Sequence, residues 1–201
     1  MKETIQTHTI AGLVLAGGQS SRYKAPKMFV DYQGVPMYEH SVRAFLNGGI
    51  SAIWIATNNE LAPSFSCPNA SILIEDKKHQ GPLYALYYAL KHVYDKTAWV
   101  FILPADTPFV SSMFIKKASS MALHSLFHKD ALVPVSGEKI QPLHGIYHRR
   151  CFPVIERLIC DNRKSMMPLL QSITYETLSY PAGQRDFVNI NRKEDWPVYL
   201  K

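Results

Sequence analysis

The sequence predicts an α/β fold, a doubly wound and mostly parallel sheet in which residues 1–201 form a single domain, with a small antiparallel addition near residues 131–147. Three observations lead there. Apolar runs of strand length recur along the chain, and most are continuous rather than alternating, as in strands covered on both faces. The segments between the earlier runs repeat their apolar residues with helical period. After about residue 128 that alternation gives way to VPVSGEKIQPLHGIYH, two strand-like stretches around a Ser-Gly-Glu-Lys turn.

Taken in order, residues 11–15 form the first strand and break into the glycine pair Gly17-Gly18. Tyr38, Val42, Phe45 and Leu46 make an apolar stripe that follows Pro36 and stops at Gly48-Gly49, which reads as a helix with a glycine stop. Strands at 52–56 and 72–74 follow. In PLYALYYALKHVYDK, Leu83, Leu86, Tyr87, Leu90 and Tyr94 share one helical face, and Pro82 sits in the permitted first turn. The run at 99–103 is the next strand, and Phe114, Ala118, Met121, Ala122 and Ser125 mark the next helix before the run at 131–135. Strand alternating with helix implies right-handed βαβ crossovers. No repeat, low-complexity tract or linker divides the chain.

With 47% hydrophobic residues, the 201-residue chain can bury a sizeable core. Its apolar runs fall far short of the roughly 20 residues that span a bilayer, and Met-Lys-Glu-Thr-Ile-Gln lacks the apolar core of a secretory signal. A cytoplasmic protein with no membrane partner is the expectation. Cys67, Cys151 and Cys160 have neither C-x-x-C spacing nor an even count, which suggests reduced, structural thiols. The net charge of +6 suggests an anionic partner. Nucleic acid is not expected, because the basic residues fall in scattered pairs without an Arg-rich helix, an RNP-type motif or a zinc-finger pattern.

Ligands of open α/β sheets bind beyond the carboxyl ends of the strands, and three features fall there. Gly17 and Gly18 let backbone N–H groups approach a phosphate, with Ser20, Ser21, Arg22 and Lys27 as further donors; the bland alternative is a turn with solvated cations. The spacing matches neither the P-loop nor the dinucleotide fingerprint. Asp106 follows the strand WVFILP and is either a hard-oxygen ligand for Mg²⁺ or an Asx-turn residue before Thr107-Pro108. In EDKKHQGPL, Asp76 and Gly81-Pro82 border a helix start, although Asp76 also reads as an ordinary loop carboxylate near Lys77 and Lys78. Asn189 and Asn191 in FVNIN equally suit local backbone pairing. No histidine pair has metal-ligand spacing, and Tyr84, Tyr87 and Tyr88 read as helix packing.

LAGGQSSRYKAPK resembles the L-A-G-G-x-S-x-R-M-G-x-x-K signature of nucleotidyltransferases, and in wording it is similar to the molybdenum cofactor guanylyltransferases. IEDKKHQGPLYAL, LPADTPFV and FVNINRKED resemble further segments of that family, so the likeness spans residues 13 to 195. It implies a Rossmann-like nucleotidyltransferase fold and a Mg²⁺-dependent reaction in which the terminal phosphate of molybdopterin attacks the α-phosphate of GTP and expels pyrophosphate. Carried over, Leu15, Ala16, Gly17 and Gly18 contact the nucleotide through backbone, and Lys27 and Arg22 serve the phosphates. Asp106 holds the metal and meets GTP, Asn58, Asp76 and Gly81 also border GTP, and Asn189 and Asn191 lie near the second substrate. The resemblance also implies transient contact with cofactor-delivery or acceptor proteins. Two other readings stand beside it: a sibling enzyme that transfers cytidylyl to a pterin or a nucleotidyl group to a phosphorylated sugar or alcohol, and a non-catalytic nucleotide-binding regulator. The last rests on one departure, Tyr23-Lys24 where the signature has Met-Gly.

Overall fold

The computed structural model describes residues 10–18, 26–77, 80–93, 97–125 and 128–196. Its strands are β1 (Ile10–Leu15), β2 (Asp31–Tyr32), β3 (Val35–Pro36), β4 (Ile53–Thr57), β5 (Ser71–Ile74), β6 (Trp99–Pro104), β7 (Ala131–Ser136), β8 (Lys139–Ile140), β9 (Ile146–His148) and β10 (Tyr175–Tyr180). The α-helices are α1 (Met37–Asn47), α2 (Pro82–Val93), α3 (Ser112–Ser125), α4 (Phe152–Cys160) and α5 (Met167–Leu170). The main sheet runs β10-β7-β9-β6-β1-β4-β5, with β8 paired to β7, while β2 and β3 form a separate hairpin.

β1 shows why the early strands read as unbroken apolar runs. Successive side chains of a strand point to opposite faces, and both faces of this sheet are covered. Leu13 belongs to the layer with Leu83, Leu86 and Leu90 of α2. Val14 belongs to the opposite layer with Val42 and Phe45 of α1. β6 divides in the same way, Val100 and Ile102 to one side and Phe101 and Leu103 to the other. Helices α1 and α3 pack side by side, as do α2 and α4, so the sheet is doubly wound. Each fully buried side chain of this size contributes about 1.5–3 kcal/mol of hydrophobic stabilisation.

The antiparallel portion lies where the sequence suggested, but it is built into the sheet rather than hung on an edge. β9 is inserted between β6 and β7 and runs antiparallel to both. Ile146 and Tyr147 are fully buried there, which an edge ribbon would not require. β8 alone makes the short hairpin with β7. Beyond it, β10 (YETLSY) pairs parallel to β7 at the sheet's far edge. Among the described residues no helix is long and apolar enough to cross a membrane. The three cysteines are free: Cys151 buried, Cys67 half-buried and Cys160 exposed.

Candidate active site

The carboxyl ends of β1, β4, β5 and β6 open on one side of the sheet, and the strand order fixes what meets there. Lys27 begins a 3-10 turn, Lys27–Phe29, whose next residues anchor it: Met28 is buried, and Phe29 packs on the rings of Tyr38 and Phe65. The Lys27 ammonium group forms an ion pair and hydrogen bond with Asp106 Oδ2. It also donates to Asn191 Oδ1 at 2.8 Å. Asn189 Nδ2 donates to the other Asp106 oxygen at 2.9 Å.

Asp106 does not make the turn that follows β6. The Pro104 carbonyl accepts from the hydroxyls of Thr107 and Ser41, each at 2.9 Å, and that leaves the Asp106 carboxylate facing outward from the strand end. Its backbone carbonyl accepts from Ile190 N–H at 2.9 Å, which straps the segment after β10 across the site. Phe187 and Ile190 are buried on either side of Asn189. Their burial sets the register that delivers both asparagines to Asp106 and Lys27. The side chains of Lys27 and Asp106 are 19% and 12% exposed, so the pair is little screened by water, and removing either partner leaves the other charge desolvated and uncompensated.

These groups stand at one end of a cleft of about 390 Å³, within the range of small-ligand sites. Leu15, Gly17 and Gly18 form one wall, and Gln80, Gly81 and Pro82 at the start of α2 form another. Neither Gly17 nor Gly18 donates its N–H within the described residues, so both donors remain for a ligand. A Cβ at Gly17 would lie 3.3 Å from Glu75 Oε1, so the bare backbone is also what lets that carboxylate approach. Gly81 holds φ at +83°, and a Cβ there would stand 2.7 Å from the Lys164 carbonyl oxygen; only glycine fits without moving the chain.

Other residues singled out in the sequence are placed elsewhere. Asn58 is buried, and its Oδ1 accepts from the backbone N–H groups of Glu60 and Leu61 at 3.0 and 3.1 Å. It shapes the turn after β4 and does not line the cleft. Ala16 is buried with its N–H committed to Ala56 O at 2.8 Å and its carbonyl accepting from Thr57 Oγ1. Asp76 accepts a hydrogen bond from the Tyr84 hydroxyl on α2, and this bond together with burial pushes the tyrosine pKa upward. Arg22, Ser20, Ser21, Tyr23 and Lys24 lie outside the described residues. His144 is fully buried against the rings of Phe114 and Phe187, and burial lowers its pKa to about 3.

The residue that sequence reasoning missed is Glu75. It lines the cleft, is 8% exposed, and has no hydrogen-bond partner for its carboxylate among the described residues. Burial, assisted by the nearby Asp76 charge, pushes its pKa up to about 7. Strand alternation carried the signal: Leu73 is buried, Ile74 is exposed, and period two returns Glu75 to the inner side.

An open α/β sheet that gathers a bare glycine loop, a lysine and an aspartate at its carboxyl ends has the form of a nucleotidyltransferase. The profile described as the MobA-like NTP transferase domain matches residues 12–177. A protein of Geobacillus sp. (strain WCH70) named probable molybdenum cofactor guanylyltransferase is 35% identical over 159 residues, 77% of this chain and 78% of its own. One of the same name from Halalkalibacterium halodurans is 32% identical over 194 residues, 92% of this chain and 94% of its own. The chain belongs to the MobA-like NTP transferase family. The crystal structure of molybdopterin-guanine dinucleotide biosynthesis protein A from Archaeoglobus fulgidus has the same fold, with a TM-score of 0.74 at 19% identity over 94% of this chain and 95% of that one.

Proposed function

We propose that the protein transfers GMP from GTP to the terminal phosphate of molybdopterin, giving the guanine dinucleotide form of the cofactor and pyrophosphate. What carries the reading is the meeting of Lys27, Asp106, Asn189 and Asn191 at the end of a cleft walled by Gly17 and Gly18, in a chain whose relatives bear the guanylyltransferase name. An oxygen of the acceptor phosphate attacks the α-phosphorus of GTP. The bond from that phosphorus to the α–β bridging oxygen breaks, and the oxygen departs with pyrophosphate, carrying the electron pair.

Such chemistry depends chiefly on positioning and on neutralising charge at the reacting oxygens. The N–H group of Gly18, whose surroundings are open, meets a phosphate oxygen. Lys27 exchanges its contact with Asp106 for one with the triphosphate and stabilises the charge that grows on the leaving group. Arg22, which the resemblance places beside the phosphates, adds a second cation. Asn189 and Asn191 orient Asp106 and Lys27 and border the acceptor. Asp106 suits Mg²⁺, a hard cation held by one or two carboxylates together with phosphate oxygens and water. When bound, the ion supplies charge neutralisation at the phosphoryl oxygens. No other carboxylate, histidine or cysteine among the described residues joins Asp106 in a group of three that could hold a metal, so substrate and solvent oxygens would fill the rest of its shell.

The test is direct. Purified protein is supplied with molybdopterin, Mg²⁺ and either GTP, CTP or ATP, and pyrophosphate and dinucleotide product are quantified. GTP is expected to outperform the others by at least about a hundredfold, the scale reached by a site that hydrogen-bonds one base and leaves polar groups unpaired with another. Equal or better turnover with CTP overturns the guanylyl assignment and moves the protein to the cytidylyl class.

A further inference from the structure

Resting on the guanylyl reading above, the geometry points to Glu75 as the residue that reads the base: its carboxylate accepts from N1–H and the N2 amino group of guanine. A buried acid without a donor is costly to keep, and Glu75 is such an acid, turned into the cleft rather than into the core. Its neighbour Asp76 is engaged by the Tyr84 hydroxyl, whereas Glu75 has no donor among the described residues. The partner is therefore expected to arrive with the ligand.

The chemistry of the surroundings narrows which part of the ligand that is. A carboxylate repels phosphate, and the phosphate end of the cleft is marked by Lys27, whereas Glu75 lies beside Gly17 at the β1 wall. The cleft also carries apolar surface from Leu15, Pro82, Ala85 and Leu143, which suits the flat faces of a base better than the hydroxyl-studded ribose. Two adjacent N–H donors on one edge match the two oxygens of a carboxylate. Adenine and cytosine present a ring nitrogen lone pair at the corresponding position, and a carboxylate opposes it. Uracil offers one N–H flanked by two carbonyl oxygens, one of which would face the acid. Among the four common bases, guanine alone satisfies the ionised form of Glu75 without a repulsive contact.

Equilibrium binding of GTP, ITP, 2′-deoxy-GTP and CTP to the wild-type protein and to Glu75→Gln tests the assignment, with thermal unfolding of each protein alongside. ITP lacks only the N2 amino group, so the wild type is expected to bind it about tenfold or more weakly than GTP, the scale of one hydrogen bond to a charged group. In Glu75→Gln the GTP:ITP ratio should fall to near one, and GTP should lose more affinity than CTP. A Gln variant that keeps the wild-type GTP:ITP ratio overturns the inference. So does a loss that is equal for GTP and ITP but absent for 2′-deoxy-GTP, which would place Glu75 on the ribose. Should Glu75→Gln fail to fold, Glu75→Asp keeps the charge but withdraws it by one methylene, and the same ratio must shrink. A wild type that binds CTP as well as GTP fails the guanylyl reading itself, whereas a GTP-selective wild type with an unaltered variant fails only Glu75.

Discussion

At the β6 end of the cleft Asp106 has a donor on each oxygen, Lys27 on one and Asn189 on the other, while beyond β5 Glu75 faces the same cavity with no donor among the described residues. Both acids are nearly buried. The first end is already hydrogen-bonded in the absence of a ligand. The second presents acceptors without a donor among the described residues. A pre-formed network holds groups in place for chemistry, which rewards low reorganisation. An unsatisfied group rewards the one ligand that supplies its partner, which is the physics of selectivity.

The largest effect is expected from breaking the Asp106 end. Asp106→Asn retains the shape and a contact for Lys27 but removes the charge that would hold Mg²⁺. Turnover should fall by at least about a hundredfold, the scale of losing one preorganised charge-stabilising group, and the urea unfolding midpoint should drop as well, because Lys27 loses its counter-charge. Near-wild-type turnover at saturating Mg²⁺ would remove the metal role. Lys27→Ala comes next. A cation that touches phosphate acts in both ground and transition states, so GTP affinity and transfer rate should decline together, by about 1.5–3 kcal/mol in all. Steady-state and single-turnover kinetics with both parameters intact would reduce Lys27 to a structural partner of Asp106.

The Glu75 end should respond with the opposite sign in the ligand-free protein. Glu75 is pushed up from 4.5 to about 7, so the folded chain holds a proton that the unfolded chain releases across that window. Stability therefore falls as pH rises from 4.5 through 7. Glu75→Gln abolishes the titration, and its melting temperature should exceed the wild-type value at pH 8 by about 2–4 °C, the shift that 1 kcal/mol gives in a chain of this length. At pH 5 the difference should shrink; a constant difference would mean that the acid is solvated. The smallest effect belongs to Asn58→Ala. Losing the acceptor for the Glu60 and Leu61 N–H groups should cost about 1 kcal/mol in urea unfolding, with GTP affinity changed by less than about twofold. A large affinity loss would return Asn58 to the nucleotide.

The elements that sequence made legible are those whose pattern is local. Continuous runs at 11–15 and 99–103 became β1 and β6, and the stripe of Leu83, Leu86 and Leu90 became α2, because burial on two faces or on one helical face leaves a period that a short window can read. β9 and β10 escaped. Three residues are too few to carry a period, and the placement of β9 between β6 and β7 is decided by partners far away in the chain. In the site, Lys27 and Asp106 were visible through motif wording, and the structure brings them into contact. That Asn189 and Asn191 close the same network was not legible, since asparagines pair so readily with nearby backbone. Glu75 was hidden by its neighbour: two acids stand side by side, and the turn from strand to loop decides that Asp76 meets Tyr84 while Glu75 faces the cleft.

The strap that runs from Phe187 to Asn191 over Asp106 also sets when the site can exist during synthesis. Lys27 and Asp106 are 79 positions apart, and Asn189 comes 83 after Asp106, so the network joins early, middle and late parts of the chain. Chains emerge from the ribosome at about 5–20 residues per second, and contacts of such long sequence separation form last. β1, β4, β5 and β6 can pair as soon as they are made, but Asp106 waits for its second donor until nearly the whole polypeptide is out. A nascent chain interrupted before residue 185 would thus carry the sheet without a finished phosphate end. The order of translation keeps an incomplete protein from holding an assembled site.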